Sequence, residues 1–339
     1  MKYQRVVIAE HGRPELLQVV EDELVEPGPD EVRVRVLAAG VAWADVMMRT
    51  GLYPGKLPPT PFTPGYDIAG RVDRMGEGVA EFDAGQPVAA ITKFCGYAEF
   101  INVPARNLVP VPEGLDPARV TCLPLNYLTA YQILTRFARV RPGERVLIHG
   151  AAGGVGSAFL QLGRLEGLEL YGTASRQKHA FVREYGGVAI DYQNEDFVER
   201  VYELTGDGVD AVFDPIGGSH LRLSFGALRP GGRLIAYGER AIVGVGSHDA
   251  AEAQEHEKFL ANWRSIASDR SVQWFEVYDN VISHPDWYRE DMATLIDLLA
   301  QERVDPVIAE RFRLDEAGQA HALLESSAVT GKIVLICDG

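Results

Sequence analysis

Arg145-Val-Leu-Ile-His-Gly-Ala-Ala-Gly-Gly-Val-Gly-Ser157 is the stretch that decides how the rest of the chain is read. Pro142-Gly143 breaks what precedes it, and Val146, Leu147 and Ile148 form the short apolar run of a buried strand. Gly150, Gly153, Gly154 and Gly156 then crowd together, and Ser157-Ala-Phe-Leu-Gln-Leu162 resumes at helical spacing. Strand, glycine turn and helix in this order make a seat for a dinucleotide pyrophosphate. Missing side chains let the backbone approach the phosphates, and the helix N-terminus offers free N–H groups and a partial positive charge. Glycines also gather in plain tight turns, so the flanking strand and helix carry the reading.

Downstream, strands and helices alternate. Leu168–Gly172 leads to a helix through Lys178–Tyr185, Val209–Asp214 to one through His220–Leu228, and Arg233–Gly238 closes the series. Such alternation predicts an α/β fold with a parallel sheet covered on both faces. Leu125 to Val140 reads as one helix leading into it, Glu239 to Asp269 as a polar helix or lid, and Ser271–Tyr278 as a final strand. Upstream, the pattern is β-rich: Arg5–Ala9, Leu16–Val20, the cleanly alternating Val32–Leu37, Gly65–Arg74, Ala84–Ile91 and Gly96–Val103. Asp286–Gln301 reads as an amphipathic helix, and Gly331–Ile336 as a buried strand returning to the first domain. The expected division is therefore 1–122, 123–283 and 284–339.

Composition narrows the function. A chain of 339 residues with 46% apolar residues supports two domains with substantial cores. A formal charge of −15 argues against nucleic-acid or acidic-membrane partners. No apolar run predicts a membrane span, and Met1-Lys-Tyr-Gln-Arg-Val lacks a signal core, so a cytoplasmic protein is expected. Cys95, Cys122 and Cys337 are too scattered for a disulfide framework or a metal knuckle, and are expected to be buried thiols. No Gly-x-Ser-x-Gly elbow supports a hydrolase.

Over nearly its full length the chain resembles the medium-chain dehydrogenase/reductase superfamily. It is most similar to the zinc-independent quinone oxidoreductase branch, close to the synaptic vesicle protein VAT-1-like members. The resemblance rests on Leu125-Asn-Tyr-Leu-Thr-Ala-Tyr131, His149–Gly156, Tyr171-Gly-Thr-Ala-Ser-Arg-Gln-Lys-His179 and Gly208-Val-Asp-Ala-Val-Phe-Asp-Pro-Ile-Gly-Gly218. It implies a doubly wound Rossmann domain beside a GroES-like β-rich catalytic domain built from both chain ends. It also implies NADPH with Gly153, Gly154, Val155 and Gly156 under the pyrophosphate, Thr129 beside the nicotinamide half, and Tyr237-Gly238 nearby. Plain structural roles stay open for Thr129, as a helix residue bonding its own backbone, and for Tyr237, as a packed aromatic. Zinc-dependent relatives use Cys and His at the positions of Ala42 and Tyr66, and neither residue here can replace thiolate or imidazole, so no metal is expected. Zinc-free relatives carry Asn-x-x-Asp where this chain has Ala42-Trp-Ala-Asp45. Asp45 is kept, and the pocket should be roomier and less polar at Ala42.

The reaction so implied is hydride transfer from NADPH to a quinone or an α,β-unsaturated carbonyl, with charge developing on oxygen. Tyr53 and Tyr66 are the candidate hydroxyl donors, with packing as the competing role, and Asp45 completes the candidate catalytic set. The alternatives are a 2-enoyl thioester reductase and a nucleotide-binding protein with little turnover. Cofactor choice is read at the end of the second strand, where Ser175, Arg176 and Lys178 offer a hydroxyl and two charges. No acid stands between Glu169 and Arg183. An acid there would favour NAD, and its absence favours the 2′-phosphate of NADPH. Relatives with this pattern place the lysine, and a tyrosine matching Tyr192, on that phosphate. Trp274, Phe275 and Tyr278 on an edge strand Ser271–Tyr278, with the two-fold contact of relatives, predict a homodimer disrupted by a charge at Val277.

Overall fold

The computed structural model describes residues 1–244 and 247–337. The chain forms two compact units, Met1–Leu128 with Val277–Gly339, and Thr129–Glu276. Against expected joints at 122/123 and 283/284, packing sets these limits. The turn Leu123–Tyr127 packs on strands Asp67–Met75 and Pro87–Ile91, and helix Val277–Ser283 packs on helix Pro285–Ala300.

The contiguous unit is a six-stranded parallel sheet. Its spatial order is Val188–Asp191, Glu169–Ala174, Arg145–Ile148, Val209–Asp214, Leu228–Ala236, Ser271–Trp274. Counted along the chain this is 3-2-1-4-5-6, the Rossmann order. Val146, Leu147, Ile148, Val212, Leu234 and Ile235 are fully buried because helices cover both faces, which is why these strands read as continuous apolar runs. The order of the chain reverses between Arg145–Ile148 and Val209–Asp214, and a ligand crevice opens at the carboxyl ends of such a pair.

Two readings of this unit change, and one with two alternatives resolves to a helix. Leu125–Val140 is not one α-helix: a short α-helical piece, Leu128–Gln132, lies between two π-helical turns, Leu123–Tyr127 and Ile133–Phe137. Glu239–Asp269 holds a helix, Ala250–Ile266, capped by Asp249 and packed through Phe259 against Phe225, so it is a docked element; 245 and 246 lie outside the described residues. The last strand stops at Trp274. Phe275 turns inward against Phe137, and Val277 and Tyr278 begin a helix, so within the strand Gln273 and Trp274 are the exposed residues.

The other unit is built on a sheet ordered Ile308–Arg313, Lys332–Ile336, Glu31–Val41, Asp67–Met75, Pro87–Ile91, Leu108–Pro110, with Phe100–Pro104 also paired to Glu31–Val41. Alternation in Glu31–Val41 buries Val32, Val34 and Val36 in a core shared with Ile68, Val88, Ile333 and Leu335. The hairpin Lys2–Ile8 with Leu17–Glu23 is a separate two-stranded sheet, bridged to the rest of the unit at Arg5–Ala98 and Ile8–Phe62. Cys95 is exposed, correcting the expectation of a buried thiol, because it sits on a turn outside the strands; Cys122 and Cys337 are buried.

Candidate active site

Helix Gly154–Leu165 starts directly over the glycine turn, with Gly153 as an N-cap that supplies no side-chain bond. The first backbone N–H groups of the helix, Gly154, Val155 and Gly156, therefore have no intrahelical partners and face the crevice end of the sheet. A Cβ on Gly156 would stand 2.2 Å from the Gly150 carbonyl oxygen, so only glycine lets the helix approach the strand this closely. These features fit a dinucleotide phosphate.

At the end of the second strand, Ser175 begins a short turn through Arg176 to Lys178, and the Ser175 carbonyl accepts the Lys178 N–H at 2.8 Å. Arg176 is exposed and Lys178 half-buried. Burial, then the guanidinium of Arg240, holds Lys178 below the usual lysine range. Arg240 is itself depressed by burial and lies within electrostatic reach of Tyr192, which is 54% exposed. Arg240 is a charge that the sequence pattern did not single out. Strand pairing also sets Asp191 opposite Ala174, an acid brought close only by the fold. Its oxygens are turned into its own loop, accepting Gln193 N at 3.2 Å and Asn194 Nδ2 at 2.9 Å.

Thr129 is buried on the α-helical piece between the two π-helical turns. Tyr237 follows the fifth strand, donating its N–H to the Asp214 carbonyl at 2.9 Å, and burial with the Asp214 charge raises its pKa. Gly238 lies against Pro215, where a Cβ would be 2.5 Å from the carbonyl oxygen.

Beneath the turn lies a polar network that the sequence did not reveal. His149 meets Thr173 Oγ1 through Nδ1 and Ser224 Oγ through Nε2, both at 3.1 Å. Ser224 donates to Asp214 Oδ2 at 2.5 Å, and His220 Nδ1 is 2.8 Å from that same oxygen. Asp214 Oδ1 accepts Ile216 N at 2.6 Å and Gly217 N at 3.1 Å. Burial, with His220 adjacent, pushes His149 down to about 3, so it is neutral. Ser224 and Asp214 meet the same nitrogen of His220, so these three groups cannot relay a proton as a hydrolytic triad does. His149, Asp214 and His220 bring possible metal-ligand atoms within 4.8 Å of one another, but the Ser224 hydroxyl bonds to all three.

In the β-rich unit, Asp45 is fully buried at the start of helix Trp43–Thr50. Its Oδ2 accepts Ala42 N at 2.9 Å and the Tyr97 hydroxyl at 3.3 Å, and its Oδ1 accepts Gly65 N at 3.0 Å. Burial pushes its pKa up to about 7, with the Asp67 charge adding to the rise and the hydrogen bonds opposing it. So held, Asp45 ties the segments at Ala42 and Gly65 together. The network continues from Tyr97 to His321 Nε2 at 3.1 Å and from His321 Nδ1 to Arg49 Nε at 3.3 Å. Arg49 pairs with Glu325. Asp67, next to Tyr66, pairs with Lys332 at 2.8 Å in full burial, and Lys332 also reaches Asn126 Oδ1 at 3.4 Å. Tyr66 is thus clamped on both sides, through Gly65 and through Asp67. Its hydroxyl lies 3.2 Å from that of Tyr53, which is half-buried. Ala42 has no ligand atom and the Tyr66 hydroxyl is engaged by Tyr53, so this place does not fit a zinc ion.

Residues 28–113 match the alcohol dehydrogenase GroES-like domain, and residues 187–335 match the zinc-binding dehydrogenase family. The chain is 31% identical over 335 residues to the quinone oxidoreductase of Rattus norvegicus, covering 97% of this chain and 96% of that one. The chain belongs to the medium-chain dehydrogenase/reductase superfamily. Within the superfamily it is also 35% identical over 311 residues to the synaptic vesicle membrane protein VAT-1 homolog of Danio rerio, covering 90% of this chain but only 64% of that longer one. Its fold matches the crystal structure of Escherichia coli quinone oxidoreductase complexed with NADPH with a TM-score of 0.88 and 29% identity, over 98% of this chain and 99% of that one. These relatives bear out a Rossmann sheet with a GroES-like partner unit and an oxidoreductase assignment of the superfamily type.

Proposed function

We propose that the chain is an NADPH-dependent, zinc-free oxidoreductase that delivers hydride to a quinone or an α,β-unsaturated carbonyl. The observation that carries this reading is the uncapped helix N-terminus at Gly153–Gly156 together with Ser175, Arg176 and Lys178 at the end of the next strand and Tyr192 at the end of the strand paired to it. The first group neutralises a pyrophosphate, and the second suits a 2′-phosphate. Thr129, Tyr237 and Gly238 complete the proposed cofactor set. When bound, the nicotinamide supplies hydride. The chain's own contribution is to bind, orient and exclude water. As hydride reaches a carbon of the acceptor, charge gathers on its oxygen, and the Tyr53–Tyr66 hydroxyl pair is the proposed donor there. Asp45 and Asp67 act through the backbone by fixing Tyr66.

A cytoplasmic location is part of the proposal; no described helix is long and apolar enough to cross a membrane. A homodimer joined through the edge strand Ser271–Trp274 is the proposed assembly, because Trp274 stays 39% exposed on an edge that pairs with no further strand among the described residues.

The test is calorimetric binding of NADPH and NADH to the purified chain and its Lys178→Ala variant, followed by turnover with a quinone and enone panel. NADPH should bind tighter by about two orders of magnitude or more, since two charge-assisted contacts are worth roughly 1.5–3 kcal/mol each. Lys178→Ala should erode most of one contact while leaving NADH unchanged. Equal affinities refute the cofactor assignment. Tight binding without turnover supports the low-turnover alternative, and a thioester preference supports the enoyl thioester one.

A further inference from the structure

The turn after strand Pro87–Ile91 is fastened to Tyr66. Thr92 N and Lys93 N both donate to the Tyr66 carbonyl, at 2.8 and 3.2 Å. Lys93 takes φ +66° there, a left-handed backbone that a non-glycine residue keeps only where its surroundings impose it. Its side chain is half-buried. The ammonium stands 4.9 Å from the Tyr278 ring centroid and 5.5 Å from that of Tyr53, with Phe94 at 6.0 Å. The Tyr66 ring packs edge-on to Tyr278 at 6.3 Å, so cation and hydroxyl pair share one aromatic cluster.

Ring faces attract a cation but do not accept its three N–H donors as oxygen does. Among the described residues Lys93 has no carboxylate partner and no oxygen acceptor, although the chain carries 48 acidic against 33 basic residues. An ammonium kept half-buried, on a constrained backbone, over three aromatic rings, is poised to take an anion from outside the chain.

We propose that Lys93 is a specificity-determining residue that reads a negative charge on the substrate. The preferred acceptor is then an enone or quinone that carries a carboxylate a few bonds from its reducible carbonyl. This rests on the reading of Tyr53 and Tyr66 as the hydroxyls that receive the carbonyl oxygen. The Tyr53 ring links the two halves of the recognition: its hydroxyl meets Tyr66, and its face meets the ammonium. The carboxylate replaces water on Lys93 N–H donors while the carbonyl is held at the hydroxyl pair, so charge sets the orientation of the acceptor.

The experiment compares 4-phenylbut-3-en-2-one with its para-carboxylate as acceptors for the full chain with NADPH, and repeats the comparison in Lys93→Met and Lys93→Arg. The expected result is a kcat/KM ratio favouring the carboxylate by about tenfold or more at low salt, the lower end of a charge-assisted hydrogen bond. The ratio should shrink as salt rises, fall to near one in Lys93→Met and largely persist in Lys93→Arg. No preference in the parent chain, or a preference that survives in Lys93→Met, overturns the proposal. A second arm measures calorimetric binding of the saturated carboxylate, 4-(4-carboxyphenyl)butan-2-one, in the presence of NADP⁺. Weaker binding to Lys93→Met with no turnover of either enone sustains the role of Lys93 and refutes the oxidoreductase reading. Equal reduction of both enones sustains that reading and refutes the role of Lys93. Failure of the carboxylate to bind the parent chain also refutes it.

Discussion

Replacing Gly156 and Gly153 separately with alanine should split folding from nucleotide binding. At Gly156 the new methyl would lie 2.2 Å from the Gly150 carbonyl oxygen and 2.7 Å from the Ala151 Cα, both backbone atoms that cannot swing aside. The helix must move off the strand, and overpacking of this kind costs about 1–3 kcal/mol. For a unit of roughly 150 residues each kcal/mol lowers the melting temperature by about 2–4 °C. At Gly153 the nearest atom to the new methyl is the Gly150 oxygen at 3.3 Å, and φ −80°, ψ −179° is open to any residue. Stability there should stay within about 0.5 kcal/mol. That methyl would instead stand at the uncapped N-terminus, where it pushes a pyrophosphate away from the Gly154, Val155 and Gly156 N–H groups. Losing one charged hydrogen bond should raise the NADPH dissociation constant about tenfold to a hundredfold. Scanning calorimetry and titration of NADPH fluorescence read the two effects. If Gly153→Ala binds NADPH as the parent does, the pyrophosphate does not lie on this turn. If Gly156→Ala melts with the parent, the close approach described here is wrong.

Lys332→Met leaves Asp67 buried without its counter-charge, and breaking such a pair costs about 3–5 kcal/mol; urea denaturation showing less than about 1 kcal/mol would refute the pairing. Asp45, raised by burial to about 7, keeps in the folded chain a proton that the unfolded chain gives up near pH 4, so its contribution falls as pH rises between those values. An Asp45→Asn variant, which cannot ionise, should therefore gain on the parent by up to about 1.4 kcal/mol per pH unit across that window, and a flat difference refutes a protonated Asp45. Trp274→Glu should turn a dimer into monomers in sedimentation at micromolar concentration if the sheet edge is the interface. A monomeric parent removes that interface.

The sequence made the Rossmann core legible because each of its strands is buried on both faces and announces itself as an apolar run. The glycine turn was equally plain, since Gly156 answers a steric demand that no other residue meets. Asp196-Phe-Val-Glu199 followed by Gly206 carried the cap and stop signals of helix Phe197–Thr205 and went unread, although Asp196 accepts from Val198 N and Glu199 N. The breaks around Leu128–Gln132 left no mark, because a single π-helical turn shifts the apolar stripe by less than one residue. Val277 and Tyr278 extended an apolar run that reads as strand, and only the packing of Phe275 ends it. The buried polar groups were the least visible. Lys332 and Asp67 lie 265 positions apart, and His149 and Ser224 lie 75 apart; nothing local in either partner names the other. Asp45 shows the reverse difficulty. Its position matched a pocket residue, and only the fold shows that its oxygens accept from Ala42 N, Gly65 N and the Tyr97 hydroxyl.

Strand Lys332–Ile336 lies between Glu31–Val41 and Ile308–Arg313, so an interior strand of this sheet is supplied by a segment far along the chain from its partner Glu31–Val41. During synthesis on a ribosome, Thr129–Glu276 emerges as one uninterrupted piece and can fold as soon as it clears the exit tunnel. The unit around it must wait. Until residue 332 is released, Asp67 has no counter-charge and Val41 faces an empty lane in the sheet. The nascent chain therefore exposes an unpaired strand edge for the time needed to translate roughly 290 codons, from Val41 to Lys332, at roughly 5–20 residues per second. Chaperone demand and co-translational aggregation should concentrate on that β-rich segment, since Thr129–Glu276 can already have folded.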